Sequence, residues 1–259
     1  MPEGVLLTIA YAGAGFAGWA PQRGQRTVHG VLLDAVRSMR ADVTELRAAS
    51  RTDAGVHARS QLVGFDSDGV ITPRGWALGL GARLPDDVSV RRACRVEEGF
   101  DPRFRSRGKR YAYRLLCDTL RDPFLDATHL RITRKLDVDA MKAEAHDAVG
   151  RHDFAAFRSA ADHRENTVRE LWRVDVERDQ HDPRQLTVFV EGDGFLHNMV
   201  RILVGTIVQV GQGVRPRGII ARGLATRSRE DLGKTAPAHG LMLEEVFVDE
   251  RGHDEFPRA

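Results

Sequence analysis

The run Arg51–His57 (RTDAGVH) most constrains the fold of this chain, because it places one carboxylate in a tight loop between two apolar-alternating segments. Residues 43–49 precede the run and residues 61–65 follow it, so the run is predicted to connect two strands. Functional side chains concentrate on such loops. Asp53 has an arginine two positions before it, and a nearby cation favours the charged form of a carboxylate. We therefore predict that Asp53 acts as a nucleophile or base rather than as an acid.

Composition narrows the class of protein. A chain of 259 residues can form one large domain or two smaller ones, and 42% hydrophobic with 29% charged residues is typical of a soluble globular protein. No apolar run approaches the roughly 20 residues that cross a bilayer, and the N-terminus lacks the features of a signal peptide, so a cytoplasmic location is expected. Two cysteines, Cys94 and Cys117, do not suggest a disulfide framework or a zinc site, and we predict that both are buried packing residues.

Positive charge is unevenly distributed, although the net charge is only +2. Residues 103–114 contain six cations, three aromatic residues and no acid. That combination suits contacts with phosphates interleaved with stacking on bases. The alternative is a solvated basic strand, since basic runs are common and unspecific. The run is therefore compatible with RNA binding but does not decide it.

Periodicity predicts a mixed arrangement of strands and helices. The predicted strands are 5–11, 88–96, 110–117, 168–176, 186–191 and 242–248, and the predicted helices are 28–39, 73–82 and 137–149. The charged segment 100–108 is the best candidate for a junction between two halves, residues 1–103 and 104–259. Residues 160–166 form a polar loop.

The run Gly13–Gly18 matches the pattern G-x-G-x-x-G after a predicted strand, and Asp34 follows at a spacing that suits a ribose contact. A dinucleotide site requires that glycine turn to open directly into a helix, whose N-terminus meets the pyrophosphate. Here the helical stripe begins only near Val28. We therefore predict no dinucleotide site.

The segment 195–205 follows a strand and a turn and has a helical stripe of apolar residues. His197, Arg201 and Gly205 are four residues apart, so they are predicted to share a second face of this helix, where Gly205 permits close approach of a neighbouring segment. A serine hydrolase is not indicated, because the chain has no G-x-S-x-G motif. Tyr111 and Tyr113 alternate along one strand and share a face; one or both could pack in the core.

The nine residues 50–58 (SRTDAGVHA) resemble the catalytic loop of the tRNA pseudouridine synthase A (TruA) family, in which the aspartate is the catalytic residue. Further blocks resemble the same family, in its order, along nearly the whole chain: 11–19, 84–87, 103–104, 110–113, 153–154, 167–169, 195–205 and 236–241. The chain departs from the family pattern at Ala12 and Ala20, where aspartate and glutamine are usual. The resemblance implies an α+β fold, the pseudouridine synthase fold, with a mixed and largely antiparallel sheet flanked by helices and two similar halves around a central cleft.

The resemblance also implies roles for individual residues. Asp53, Tyr111 and Arg201 match the catalytic positions, with Arg201 as the ion-pair partner of Asp53 and Tyr111 against the target uracil. Arg51 matches the arginine that helps to hold the extruded nucleotide. His57 is as well suited to cap the loop as to touch RNA. The expected substrate-binding residues are Arg51, Tyr111, His57, Arg103, Arg105 and Arg110.

The function implied is isomerisation of uridine to pseudouridine in the anticodon stem-loop of tRNA, at positions 38, 39 and/or 40, by base flipping and Asp-dependent cleavage and re-formation of the glycosidic bond. A homodimer is implied, and no cofactor, metal or membrane partner. Two alternatives stay open. The chain could be a non-catalytic tRNA-binding protein that lost turnover through the changes at Ala12 and Ala20, or a uridine methyltransferase that uses a cysteine nucleophile.

Overall fold

The computed structural model of the chain describes residues 3–249 and 252–257 and combines helices with mostly antiparallel strands. The strands are β1 (Glu3–Tyr11), β2 (Arg47–Ala48), β3 (His57–Ser67), β4 (Val88–Val96), β5 (Ser106–Cys117), β6 (Leu130–Ile132), β7 (Gly150–Asp153), β8 (Val168–Arg178), β9 (Gln185–Gly192), β10 (Leu241–Val248) and β11 (His253–Phe256). The helices are α1 (Val28–Met39), α2 (Pro73–Gly81), α3 (Pro102–Arg105), α4 (Val138–His146), α5 (Met199–Gly211) and α6 (Ile219–Thr226). Among the described residues, no helix is both long and apolar enough to cross a membrane.

The chain forms two compact units. The first unit contains the residues up to Arg107 together with the segment from Leu243 onward, and the second unit contains Gly108–Met242. The C-terminal segment thus belongs to the same unit as the N-terminal part of the chain. The division between residues 103 and 104, with a different part of the site in each half, stays a prediction.

In the first unit, β1 lies between β3 and β4 and pairs antiparallel with both. β2 and β10 are neighbours of β3, and β11 pairs with β4. The predicted helix 28–39 is confirmed, and it begins where the side chain of Thr27 accepts a hydrogen bond from the Gly30 N–H. The predicted strand at 43–49 shortens to the two residues of β2, so the Asp53 loop still connects two strands, as predicted.

In the second unit, β5, β9, β8 and β7 pair antiparallel in that order, and β6 pairs with β5 in parallel. The predicted mixed and largely antiparallel sheet with helices is confirmed. α5 is buried along nearly its whole length. A Cβ at Gly205 would lie 1.8 Å from the Lys234 carbonyl oxygen, which confirms the predicted close approach of another segment at this glycine.

One local prediction needs correction. His197 does not share a helix face with Arg201, because Asn198 adopts a left-handed conformation (φ 63°) and α5 starts only after it. The segment 100–108 contains the boundary between the two units, which falls after Arg107, and its backbone is regular, since Asp101 caps α3, Pro102 occupies its first turn and β5 follows directly.

The two cysteines pack as the sequence suggested, with one difference in degree. Cys94 is buried and its thiol lies 3.7 Å from the Leu6 carbonyl oxygen, whereas Cys117 is half-buried. Burial raises the pKa of both thiols. Neither environment favours a thiolate, which is the reactive form of cysteine.

Glu144 of α4 caps the N-terminus of α6. Its side chain is buried, and its two oxygens accept the backbone N–H groups of Gly218 and Ile220 at 2.7 and 2.6 Å. We expect Glu144→Gln to lower the free energy of unfolding by about 2 kcal/mol, because an amide nitrogen must then face one of the two N–H donors. Urea unfolding measures the loss. Asp139→Asn, on an exposed position of the same helix, should cost less than about 1 kcal/mol, and equal losses in the two variants would contradict the capping role.

Candidate active site

The loop that carries Asp53 lies between β2 and β3 in the first unit. Arg51 is exposed, Thr52 is buried and Asp53 is half-buried. His57, at the end of the loop, is only 3% exposed. The loop is therefore anchored by its neighbours, while Arg51 reaches solvent and Asp53 stays partly accessible.

The glycine turn at residues 13–18 holds this loop from one side. The Tyr11 hydroxyl, just before the turn, lies 2.7 Å from the Thr52 hydroxyl, and the Trp19 N–H donates to the Thr52 carbonyl at 3.0 Å. The Gly55 N–H donates to the Phe16 carbonyl at 3.3 Å. The residues that flank the turn thus bond to Thr52, before Asp53, and Phe16 within the turn bonds to Gly55, after Asp53.

His57 completes this contact, since its ring Nδ1 accepts the Gly13 N–H at 3.1 Å. A Cβ at Gly13 would lie 2.0 Å from the Val56 carbonyl oxygen, so only glycine permits this approach of two backbone segments. The G-x-G-x-x-G pattern therefore has a local explanation: the turn packs against the chain's own loop, and α1 begins only at Val28. The hydrogen bond supports the capping role of His57, and its contact with RNA stays a prediction.

Gln61 anchors the other end of the loop, and the sequence analysis missed it. Its side chain is fully buried on β3. The amide oxygen accepts the Ser50 N–H at 3.1 Å, and the amide nitrogen donates to the Ser50 carbonyl at 2.6 Å. A glutamine at the start of the apolar-alternating run 61–65 was the available signal, because a buried amide must find partners.

Three arginines of the basic run 103–114 pair with acids of the unit in which each arginine lies. Arg105 pairs with Glu97, Arg107 pairs with Asp249, and the Arg110 Nε donates to Glu191 at 2.7 Å. These guanidinium groups are therefore not simple phosphate anchors. The predicted contacts of Arg103, Arg105 and Arg110 with substrate stay predictions.

The most exposed part of the run is its start. Arg103 is exposed, and its guanidinium lies 5.8 Å from the Phe104 ring, which is itself 80% exposed. A cation beside an accessible aromatic ring is the combination that contacts a backbone phosphate and a base together.

In the second unit, Tyr111 lies on β5 and is 7% exposed. Its ring packs edge-on against Phe195, with centroids 5.1 Å apart. Tyr113 is fully buried, its hydroxyl donates to the Pro237 carbonyl at 2.8 Å, and burial raises its pKa far above the usual range. Tyr113 is thus a core residue. Tyr111 is also buried, and its predicted position against the target uracil stays a prediction.

Arg201 lies in the first turn of α5 and is held from two directions. Its Nε donates to the Ala236 carbonyl and one terminal nitrogen donates to the Asn198 side chain, both at 2.8 Å. These bonds fix the plane of the guanidinium, which suits a group that must meet a carboxylate in one geometry. Its predicted pairing with Asp53 stays a prediction.

Comparison with known proteins gives a consistent result. A family model described as tRNA pseudouridine synthase matches residues 145–249. The protein named tRNA pseudouridine synthase A of Myxococcus xanthus is 42% identical over 247 residues, covering 95% of this chain and 92% of that protein. Its namesake in Bacillus pumilus (strain SAFR-032) is 38% identical over 247 residues, covering 95% and 99%.

Similarity to solved structures is weaker. The archaeal box H/ACA sRNP Nop10–Cbf5 complex matches with a TM-score of 0.36 and 11% identity, over 79% of this chain and 44% of that chain. A family assignment for this chain therefore depends on the sequence relatives and not on the solved structures.

The contact between the glycine turn and the Asp53 loop can be tested with two glycines of the same turn. We expect Gly13→Ala to lower the free energy of unfolding by about 2 to 3 kcal/mol, because the added methyl meets the Val56 backbone, which cannot move alone. Gly15→Ala should cost less than about 1 kcal/mol, since its Cβ would meet only the flexible side-chain ends of Arg26 and Asp87. Urea unfolding measures both. Similar costs for the two variants would show that the close approach at Gly13 is not needed.

Proposed function

The chain belongs to the tRNA pseudouridine synthase A family of isomerases, which convert uridine in tRNA to pseudouridine, and we propose that its target uridines lie at the junction of the anticodon stem and loop. The observation that carries this proposal is the loop 50–58, in which Asp53 is partly accessible while the residues beside it are anchored to the glycine turn and to Gln61. A homodimer and a cytoplasmic location belong to the same proposal.

The chemistry begins with extrusion of the target nucleotide, because a stacked base cannot be reached in place. Asp53 supplies an anionic oxygen while the bond between N1 of the base and C1′ of the ribose breaks, either by covalent attack or by removal of a ribose proton. Arg51, exposed beside it, holds the extruded nucleotide. The ring then rejoins through C5, so the product is an isomer and no net oxidation occurs.

Tyr111 lies against the freed uracil and takes part in the proton transfer from C5. The edge-on contact with Phe195 limits the positions that its ring can adopt, which supports a role that needs a fixed surface. Arg201 is the proposed ion-pair partner of Asp53, and its two hydrogen bonds to Ala236 and Asn198 support a preset orientation.

The alternatives have less support. A non-catalytic tRNA-binding protein was suggested by the changes at Ala12 and Ala20, yet the Ala12 N–H still donates to the Asp87 carbonyl at 2.9 Å, so the backbone after β1 is held without the usual side chain. A methyltransferase with a cysteine nucleophile conflicts with the family assignment and with the raised pKa of the Cys94 and Cys117 thiols.

The position of the target is testable with tRNA transcripts whose uridines carry tritium at C5, because isomerisation releases that label. We expect release from a transcript that contains uridines at the junction of the anticodon stem and loop. Transcripts in which only those uridines are replaced by cytidine serve as the control and should release no label. Release from the control transcripts would place the target elsewhere, and no release from any transcript would favour the non-catalytic alternative.

Asp53→Asn tests the assignment of the catalytic carboxylate. We expect turnover to be lost while tRNA affinity stays within about tenfold, roughly 1.4 kcal/mol, because the change removes charge without volume. Tritium release measures turnover and filter binding measures affinity. Asp34→Asn, on the exposed face of α1, is the matched control and should retain full activity. Near-normal turnover in Asp53→Asn would overturn the assignment.

A further inference from the structure

The polar loop 160–166 is fixed to the segment that precedes α5 by one buried carboxylate. Asp162 is 8% exposed, and both of its oxygens accept hydrogen bonds from Arg164. Oδ1 accepts the backbone N–H and the Nε of Arg164 at 3.1 and 2.9 Å, and Oδ2, which also accepts from the Arg164 guanidinium, accepts the backbone N–H of His197 at 2.8 Å. Asp162 thus joins a surface loop to the residues 195–198, which we call the 195–198 turn.

Two further bonds strengthen this connection. A terminal nitrogen of Arg164 donates to the Phe195 carbonyl at 3.0 Å, and the Ser159 N–H donates to the His197 carbonyl at 2.9 Å. The Arg164 guanidinium, together with the N–H groups of His197 and Arg164, holds the pKa of Asp162 well below its usual range. The carboxylate is therefore charged at neutral pH, and these bonds are charge-assisted.

The 195–198 turn carries contacts to both proposed catalytic residues of the second unit. The Phe195 ring packs against Tyr111, and the Asn198 side chain accepts a hydrogen bond from Arg201. Asn198 itself is left-handed, a conformation that asparagine tolerates better than most residues. A shift of this short turn would therefore move the support of Tyr111 and of Arg201 together.

We propose that Asp162, with Arg164, is a positioning residue of the isomerase: it acts through the 195–198 turn to fix the Tyr111 ring and the Arg201 guanidinium. The inference rests on the proposed roles of Tyr111 and Arg201. Misplacement of a catalytic group by about 1 Å can lower a rate by roughly a hundredfold without weakening substrate binding. The effect of losing Asp162 should accordingly fall on kcat and not on KM.

The chain offers a matched control. Asp182 and Arg184 repeat the Asp-x-Arg arrangement between β8 and β9: Asp182 accepts the backbone N–H and the Nε of Arg184 at 3.1 and 3.0 Å. Its pKa is likewise lowered, mainly by Arg184. The carboxylate of Asp182 accepts hydrogen bonds from Arg184 and Gln185, and none of these reaches the 195–198 turn. Asp182→Asn therefore removes the same kind of pair without touching that turn.

The experiment compares Asp162→Asn, Asp182→Asn and the wild type by tritium release and by fluorine NMR of protein made with 3-fluorotyrosine. The chain has three tyrosines, so the spectrum has few resonances, and Tyr111→Phe identifies the one that belongs to Tyr111. We expect Asp162→Asn to lower kcat at least about tenfold with KM within twofold, and to shift or broaden the Tyr111 resonance. Asp182→Asn should change neither the kinetic constants nor the Tyr111 resonance.

Should Asp162→Asn fail to fold, Arg164→Gln replaces it, because that change keeps the bond from the His197 N–H to Asp162 and removes the one to the Phe195 carbonyl. Unchanged kcat and an unmoved Tyr111 resonance in the folded variant, or an equal loss of kcat in Asp182→Asn, would overturn the proposal. If the wild type itself released no tritium, the proposed function would fail and the catalytic part of this inference with it. An active wild type with an equally active Asp162→Asn would overturn the positioning role alone.

Discussion

The approach of two backbone segments at Gly13 is the constraint on which the Asp53 loop depends. The glycine turn contributes no reactive group, yet its carbonyl and N–H groups, with Tyr11 before it and Trp19 after it, bond to the loop on both sides of Asp53. Because these partners are mostly backbone groups, they hold the loop with little dependence on side-chain rotamers. The loop can therefore present a half-buried carboxylate in one conformation before any substrate arrives, which is the preorganisation that catalysis by a charged group requires.

In the second unit, the proposed catalytic residues are held by buried polar side chains and not by a glycine turn, but the bonds again run to backbone groups. Buried polar side chains accept or donate to the backbone of a neighbouring turn: Asp162 to the 195–198 turn, and Glu144 to the start of α6. Gln61 does the same for the Asp53 loop in the first unit. Each of these groups would be costly to bury alone and is stabilising only because its partners are complete.

The ion pairs of this chain fix the orientation of arginine side chains more than they attract RNA from a distance. A net charge of +2 provides little long-range steering toward RNA, and Arg105, Arg107 and Arg110 are paired with acids. Such pairs are modest in energy at the surface, but they set the direction in which an arginine points. Arg103 beside the exposed Phe104 is the part of the basic run that keeps an accessible cation and ring together.

The sequence by itself determined the local elements and indicated the loop in which we propose the catalytic residue. The stripe at 28–39 and the alternation at 88–96 were sufficient for α1 and β4, and the run 50–58 pointed to Asp53, because periodicity and short motifs depend on neighbouring residues. Only the tertiary structure decided which polar groups hold the site. Gln61 is hydrogen-bonded to Ser50, Asp162 to His197 and Arg110 to Glu191, at separations of 11, 35 and 81 residues. Hydrogen bonds over such separations leave no periodic signal in a sequence, since they depend on how the chain brings distant segments together.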